Sequence, residues 1–137
     1  MNPQDSYQWN VFALALCIWR EARGESFEAK LAVGYVVITR ANLSRWWGGP
    51  SITSVIFHKE QFSSLTHAGD PNLTQWPSDT DTTWGDSINA AKQAIAKSAV
   101  NPAPDADSYV SGTVEPEWIA SATFIAKIGA FRFYRTV

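Results

Sequence analysis

The chain has 137 residues and a formal net charge of -2; it is long enough for one domain with a real core and offers no basic footprint to nucleic acid. A single cysteine, Cys17, excludes an internal disulfide and a cysteine zinc cluster, and two histidines, His58 and His67, are too few for a histidine-rich metal site. No metal and no cofactor is expected, and the seven tryptophans are the one unusual count, suiting a core or a sugar-binding cleft.

The opening MNPQDSYQWN carries no Lys or Arg and leads into the apolar run VFALALCIW at residues 11–19. That run has the length of a signal-peptide core, but the basic start and the small-x-small cleavage site are missing, and it is far short of the roughly 18 residues that cross a bilayer. No signal peptide and no stable membrane association are expected. The run reads as a central buried helix, capped by Asp5 or Ser6 and stopped by Gly24 in the left-handed conformation. Ser26 then caps a second helix, with Glu28 in its first turn and Phe27, Leu31, Tyr35 and Ile38 along one face, running to about Asn42.

RWWGGP at residues 45–50 is a turn with two adjacent tryptophans, followed by a short helical segment from Ser51 through Ile52, Val55 and Ile56. Residues 59–83 are polar, anchored by Phe62 and Trp76, and read as long loops with a small hairpin. Helical order returns along Trp84, Ile88, Ala91, Ile95 and Ala99 and is ended by Asn101-Pro102. After another loop, the alternation in ATFIAKIGAFRFYRTV favours extended structure. The expectation is one domain over residues 1–137, α+β and mainly α, with a central buried helix and a small β element.

Glu21 shares its helix face with Leu14, Cys17 and Ile18. A carboxyl that rises from an apolar stripe, in the last turn at the negative end of the dipole, keeps its proton more readily than a free one. A protonated carboxyl beside a cleft is what cleavage of a glycosidic bond requires, because the leaving oxygen must be protonated. The competing reading is an ion pair with Arg20, Arg23 or Arg40 that holds the helix end, and for an arbitrary Glu near a terminus that reading leads. Glu25 suits a second carboxylate or an anion at the positive end of the next helix; Asp70, Asp79 and Asp81 are not marked out by the sequence. Trp46, Trp47 and Trp76 are candidate sugar-stacking rings.

The segment IWREARGESFEAKLAVGYVVITR resembles the opening of the SleB-type cell-wall hydrolases, where a helix ends in a Glu-Ala-Arg-Gly-Glu signature. EQFSS (residues 60–64) is similar to the family's Gln-Phe-Ser segment, and DSY (residues 107–109) stands where the family often has Thr-His-Tyr. IGAFRFYR (residues 128–135) looks like its closing Ile-Gly-x-His-x-Phe-Tyr segment. The resemblance implies a compact lysozyme-like, lytic transglycosylase-type domain that cuts the MurNAc-GlcNAc β-1,4 bond in peptidoglycan glycan strands. It carries the catalytic acid/base over to Glu21 and places Glu25, Gln61, Ser63 and Tyr109 along the cleft, to which Trp47 is added as a substrate-binding ring. Ser108 replaces the family's histidine and Phe131 stands where another is common, departures that bear on substrate preference more than on the reaction.

The resemblance also favours a single-carboxylate route. The substrate's own acetamido group stabilises the developing charge, while one Glu donates a proton to the leaving oxygen and then takes one from the C6 hydroxyl, closing a 1,6-anhydro ring. In that scheme Gln61 and Ser63 hydrogen-bond the flanking sugar, and the Tyr109 hydroxyl helps hold the acetamido group. A hydrolytic muramidase with a second carboxylate and a non-catalytic glycan-binding module stay open as alternatives. The chain further resembles a single-domain phage endolysin, a monomer that accumulates in the host cytoplasm before acting on the cell wall.

Overall fold

A computed structural model describes residues 2–59 and 61–137. Glu60 and the side chain of Asp5, both part of the sequence reading, lie outside the described residues.

The first helix, α1 (Pro3–Ala22), starts before its expected cap. Pro3 occupies the first turn, where its missing N–H leaves nothing unsatisfied, and Ser6 is already inside, its N–H bonded to the Asn2 carbonyl at 3.0 Å. Residues 13–19 are all buried, so this helix is the centre of the core as its composition implies. Among the described residues no helix is long and apolar enough to cross a membrane. Gly24 does not take the left-handed conformation expected of it. The helix stops because Ser26 commits the backbone to an extended φ of -64° and ψ of 161°, and its hydroxyl accepts the Ala29 N–H at 3.2 Å, opening α2 (Phe27–Leu43).

Three helices meet at Gly34. A Cβ there would lie 3.2 Å from the Ala94 Cβ and 3.3 Å from the Ile18 Cδ1, so α2 approaches both α1 and α5 (Thr82–Ala96) where a side chain is missing. The α5 contribution is equally small, the fully buried Ala90, Ala91 and Ala94. Asp81 caps α5 by accepting the Thr83 N–H at 2.9 Å, and the helix ends at Lys97 with a φ of 53°. That is before Asn101-Pro102, and Ala99 falls outside the helix, its carbonyl accepting the Tyr35 hydroxyl.

Helix α3 (Ile52–Ile56) forms where a short helical segment was expected, with Ser51 as its cap, and buries Val55 and Ile56. The following polar stretch contains no hairpin among the described residues; it folds into α4 (Ser63–Thr66) and a 3-10 turn at Pro71–Thr74. Asp70 is the reason: its carboxylate accepts the Ser63 hydroxyl at 2.6 Å and the Asn72 N–H at 2.8 Å, coiling the chain on itself.

The sheet has strands β1 (Ser108–Ser111), β2 (Thr123–Ile128) and β3 (Phe131–Arg135) in the order β1-β3-β2, all antiparallel. The β2-β3 hairpin fits the expected extended ending, its two-residue loop carrying Gly129 at a φ of 59°. Strand β1 falls where a loop was expected. It is held from a distance by the fully buried Asp107, whose carboxylate accepts the Thr136 N–H at 3.0 Å and hydroxyl at 2.8 Å. The architecture is α+β and mainly α, a helical core with one small sheet.

Candidate active site

Glu21 stands half-buried on the last turn of α1, one turn above the fully buried Cys17. Its Oε1 accepts the Tyr109 hydroxyl at 2.7 Å and its Oε2 the Ser64 hydroxyl at 2.5 Å. Each partner is fixed from behind. Ser64 is buried on α4, and its carbonyl accepts the Arg20 Nη1–H at 3.1 Å. The Tyr109 ring, on β1, lies 5.2 Å from Phe131 and 5.7 Å from Phe133 between ring centroids, so β3 aims the phenol.

The three arginines that might have paired with Glu21 do not. Arg20 donates to the Gln75 carbonyl at 3.1 Å and lies 4.6 Å over the Trp76 ring. Arg23 donates to Asn72 Oδ1 at 2.9 Å and Gln75 Oε1 at 2.5 Å. Arg40 donates its Nε–H to the Asp107 carbonyl at 2.6 Å. Among the described residues the ion pairs are Arg132 with Glu115 and Arg135 with Asp107, so Glu21 is held by hydroxyls alone.

Burial first, and then the charge of Glu21, push the Tyr109 phenol well above its ordinary value, so it remains a donor. The same two causes raise the Cys17 thiol, which makes it an uncharged floor beneath the carboxyl. Burial lowers the Arg40 guanidinium, against the raising pull of Tyr109 and Asp107.

A cleft of about 450 Å³ opens beside this cluster, lined by Tyr109 together with Arg40, Trp46, Gln61, Ser108 and Trp118. Glu21 is not among its lining residues; Tyr109, which donates to it, is. Gln61 and Tyr109 are thus both in the cleft wall. Ser63 is not: it is exposed and its hydroxyl is given to Asp70, while the next residue, Ser64, faces Glu21. Trp47 is 1% exposed and donates to the Arg40 carbonyl at 3.0 Å, which leaves no ring face for a sugar; its neighbour Trp46, 69% exposed, is the one in the cleft.

Glu25 is half-buried, and its Oε1 accepts the Ala130 N–H at 3.0 Å. A Cβ on Gly129 would sit 2.5 Å from that oxygen; the carboxylate and the glycine together dock the β2-β3 turn against the start of α2. Asp70 and Asp81 are likewise occupied, by the turn after α4 and the cap of α5. Asp79 is exposed in a turn.

Sequence reasoning missed Ser64, Arg40 and Trp118. A one-turn helix gives no periodicity to choose between adjacent serines, and the approach of Trp118 depends on a non-local strand pairing. Arg40 did carry a signal, because it shares its helical face with the buried Val33, Val36 and Val37.

Two solved structures share this fold. The chain superposes on the catalytic domain of the germination-specific lytic transglycosylase SleB from Bacillus anthracis with a TM-score of 0.72 at 23% identity, covering 93% of this chain and 95% of that one. The catalytic domain of the Bacillus cereus SleB protein gives the same TM-score and identity, over 93% and 91% of the two chains. No curated protein matches the sequence. The profile of the Cell Wall Hydrolase family matches residues 24–134, beginning just after Glu21, and with most of its length so matched the chain belongs to that family.

Proposed function

We propose that the protein is a peptidoglycan lytic transglycosylase that cleaves the MurNAc-GlcNAc β-1,4 bond, with Glu21 as its acid and then its base. Membership of the Cell Wall Hydrolase family supports peptidoglycan as the substrate, and the similar SleB domain from Bacillus anthracis is itself described as a lytic transglycosylase. The observation that carries the reading is the grip on Glu21 by two hydroxyls and no cation. A hydroxyl can donate to a carboxylate and accept from a carboxylic acid, whereas an arginine only donates and would hold the anion. Glu21 can therefore cycle between its two forms without losing its partners.

In the first step the protonated Glu21 gives its proton to the glycosidic oxygen as the bond from C1 to that oxygen breaks. Tyr109 and Ser64 receive the carboxylate that remains, and the acetamido oxygen of the muramyl sugar stabilises the positive charge at C1. In the second step Glu21 takes the proton of the C6 hydroxyl, whose oxygen closes on C1, leaving a 1,6-anhydro end and restoring the acid. Because the Tyr109 proton points at Glu21, the phenol oxygen is left to accept from the acetamido N–H. Gln61 and Trp46 supply a polar contact and an aromatic face to the flanking sugars.

The hydrolytic alternative needs a second carboxylate within about 5–9.5 Å. Glu25, Asp70 and Asp81 each have a structural commitment instead, which favours the single-carboxylate route. Mass spectrometry of fragments released from purified peptidoglycan tests it. Muramyl ends lighter by one water, absent with Glu21→Gln, are expected; reducing ends would refute the transglycosylase, and equal fragmentation by Glu21→Gln would remove Glu21 from the chemistry. A glycan-binding module would release nothing from either protein. The finer setting, a phage endolysin held in the host cytoplasm until release, belongs to the same proposal: cytoplasmic expression should lyse cells only when a pore-forming protein is co-expressed.

A further inference from the structure

Among the described residues Arg40 is a buried cation without an ion-pair partner. It is 9% exposed on α2, and its guanidinium carbon lies 5.4 Å from the ring centroids of both Trp47 and Phe62. Among the described residues its Nε–H alone is used, by the Asp107 carbonyl. Nη1 is buried with no partner, and no hydrogen bond to Nη2 exists among the described residues. The nearby carboxylates are engaged elsewhere: Asp107 with Ser108, Thr136 and Arg135, and Glu21 with Tyr109 and Ser64. Burying a charge this way is unfavourable unless something pairs with it, and Arg40 lines the cleft of about 450 Å³.

We propose that the Arg40 end of the cleft is a carboxylate subsite, in which the guanidinium receives a carboxylate of the glycan strand. A guanidinium N–H meets a carboxylate oxygen in a charge-assisted hydrogen bond and supplies the missing counter-charge. A neutral acetamido oxygen would satisfy one N–H and leave the charge unpaired. The carboxylate has two sources in peptidoglycan, the lactyl group of a stem-free muramyl sugar or a free carboxyl of a stem peptide. The subsite rests on the glycan-cleaving reading, and it makes the enzyme selective for strands that carry a free carboxylate near the cut.

The test is calorimetric binding to the full chain bearing Glu21→Gln, which does not consume the ligand. Stem-free and stem-bearing glycan oligomers are each compared before and after conversion of their carboxylates to methylamides. Amidation should weaken binding at least about tenfold, the loss expected for a charge-assisted pair. An effect on stem-free strands assigns the lactyl carboxylate; an effect confined to stem-bearing strands assigns the stem. Adding Arg40→Gln should abolish the difference between native and amidated strands, with Arg40→Lys falling between. Equal binding of native and amidated strands overturns the subsite, as does an Arg40→Gln variant that still discriminates. The amidation arm keeps Arg40 in place, so it decides even where a variant fails to fold. If wild type still cuts the glycan while amidation has no effect, the subsite alone falls. If no strand is bound and none is cut, the glycan-cleaving reading falls as well.

Discussion

Tyr109→Phe deletes one oxygen from the site and little else. The phenol oxygen lies 2.7 Å from Glu21 Oε1, while the ring contacts with Phe131 and Phe133, at 5.2 Å and 5.7 Å, do not depend on the hydroxyl. A hydrogen bond to a charged group contributes about 1.5–3 kcal/mol. If that is realised as Glu21 gives up its proton, and not before, kcat falls by about 10- to 150-fold, and the lost acetamido contact raises KM as well. Activity is not abolished, because Ser64 still holds Oε2 at 2.5 Å. The assay is the initial rate of anhydro-end release at saturating glycan, with a thermal melt alongside. Since burial and Glu21 hold the Tyr109 phenol well above its ordinary value, the variant should show the same slowing on the alkaline side of the profile as at neutrality. An unchanged kcat in a variant with an unchanged melt would refute the reasoning, and so would a loss of rate matched by a collapse of the melt.

The two adjacent tryptophans should separate cleanly. Trp47→Ala empties a fully buried site and should cost about 3–5 kcal/mol, read as a large fall in Tm; Trp46→Ala should leave Tm unchanged and raise KM for glycan, and the reverse pattern would place the sugar on the wrong ring. Glu25→Gln keeps an oxygen for the Ala130 N–H and should retain most activity, whereas a loss as deep as that of Glu21→Gln would make Glu25 catalytic. Asp70 is held below the usual carboxylate range by the Ser63 hydroxyl first and the Asn72 N–H second, so the folded state gives up this proton more readily than the unfolded one. Its contribution to stability is therefore complete above that range and lost as pH falls through it. Tm measured from neutral pH downward should fall less steeply in Asp70→Asn, and parallel falls would refute the assignment.

The sequence carried what is local. Ser26 announces its helix because a cap needs only the chain that follows it. The buried run before Glu21 announces the core helix because it is apolar on nearly every side. The extended ending is legible from its alternation, and its two strands pair as neighbours in sequence. What the residues alone could not give is non-local. Strand β1 exists because Asp107 reaches Thr136, and α4 because Asp70 reaches back to Ser63. Within EQFSS the choice between Ser63 and Ser64 was set by that same reach: Asp70 claims the first hydroxyl, which leaves the second to Glu21. The same logic separates Trp46 from Trp47, identical in type and adjacent, where the carbonyl of Arg40 decides which indole turns inward.

The arginines around Glu21 follow one pattern that bears on the chemistry. Arg20 donates to two backbone carbonyls, Arg40 to one, and Arg23 to two side-chain amides. Every acceptor is neutral. Such bonds fix the positions of the cations without an ion pair to Glu21. Had any of the three met Glu21 directly, the carboxylate would be held as an anion and the first proton transfer would begin with breaking an ion pair. Held by neutral oxygens instead, Arg20 and Arg23 organise the loop that presents Ser64, and Arg40 stands in the cleft wall. On the proposed mechanism the carboxyl of Glu21 can then work as an acid without an ion pair to break.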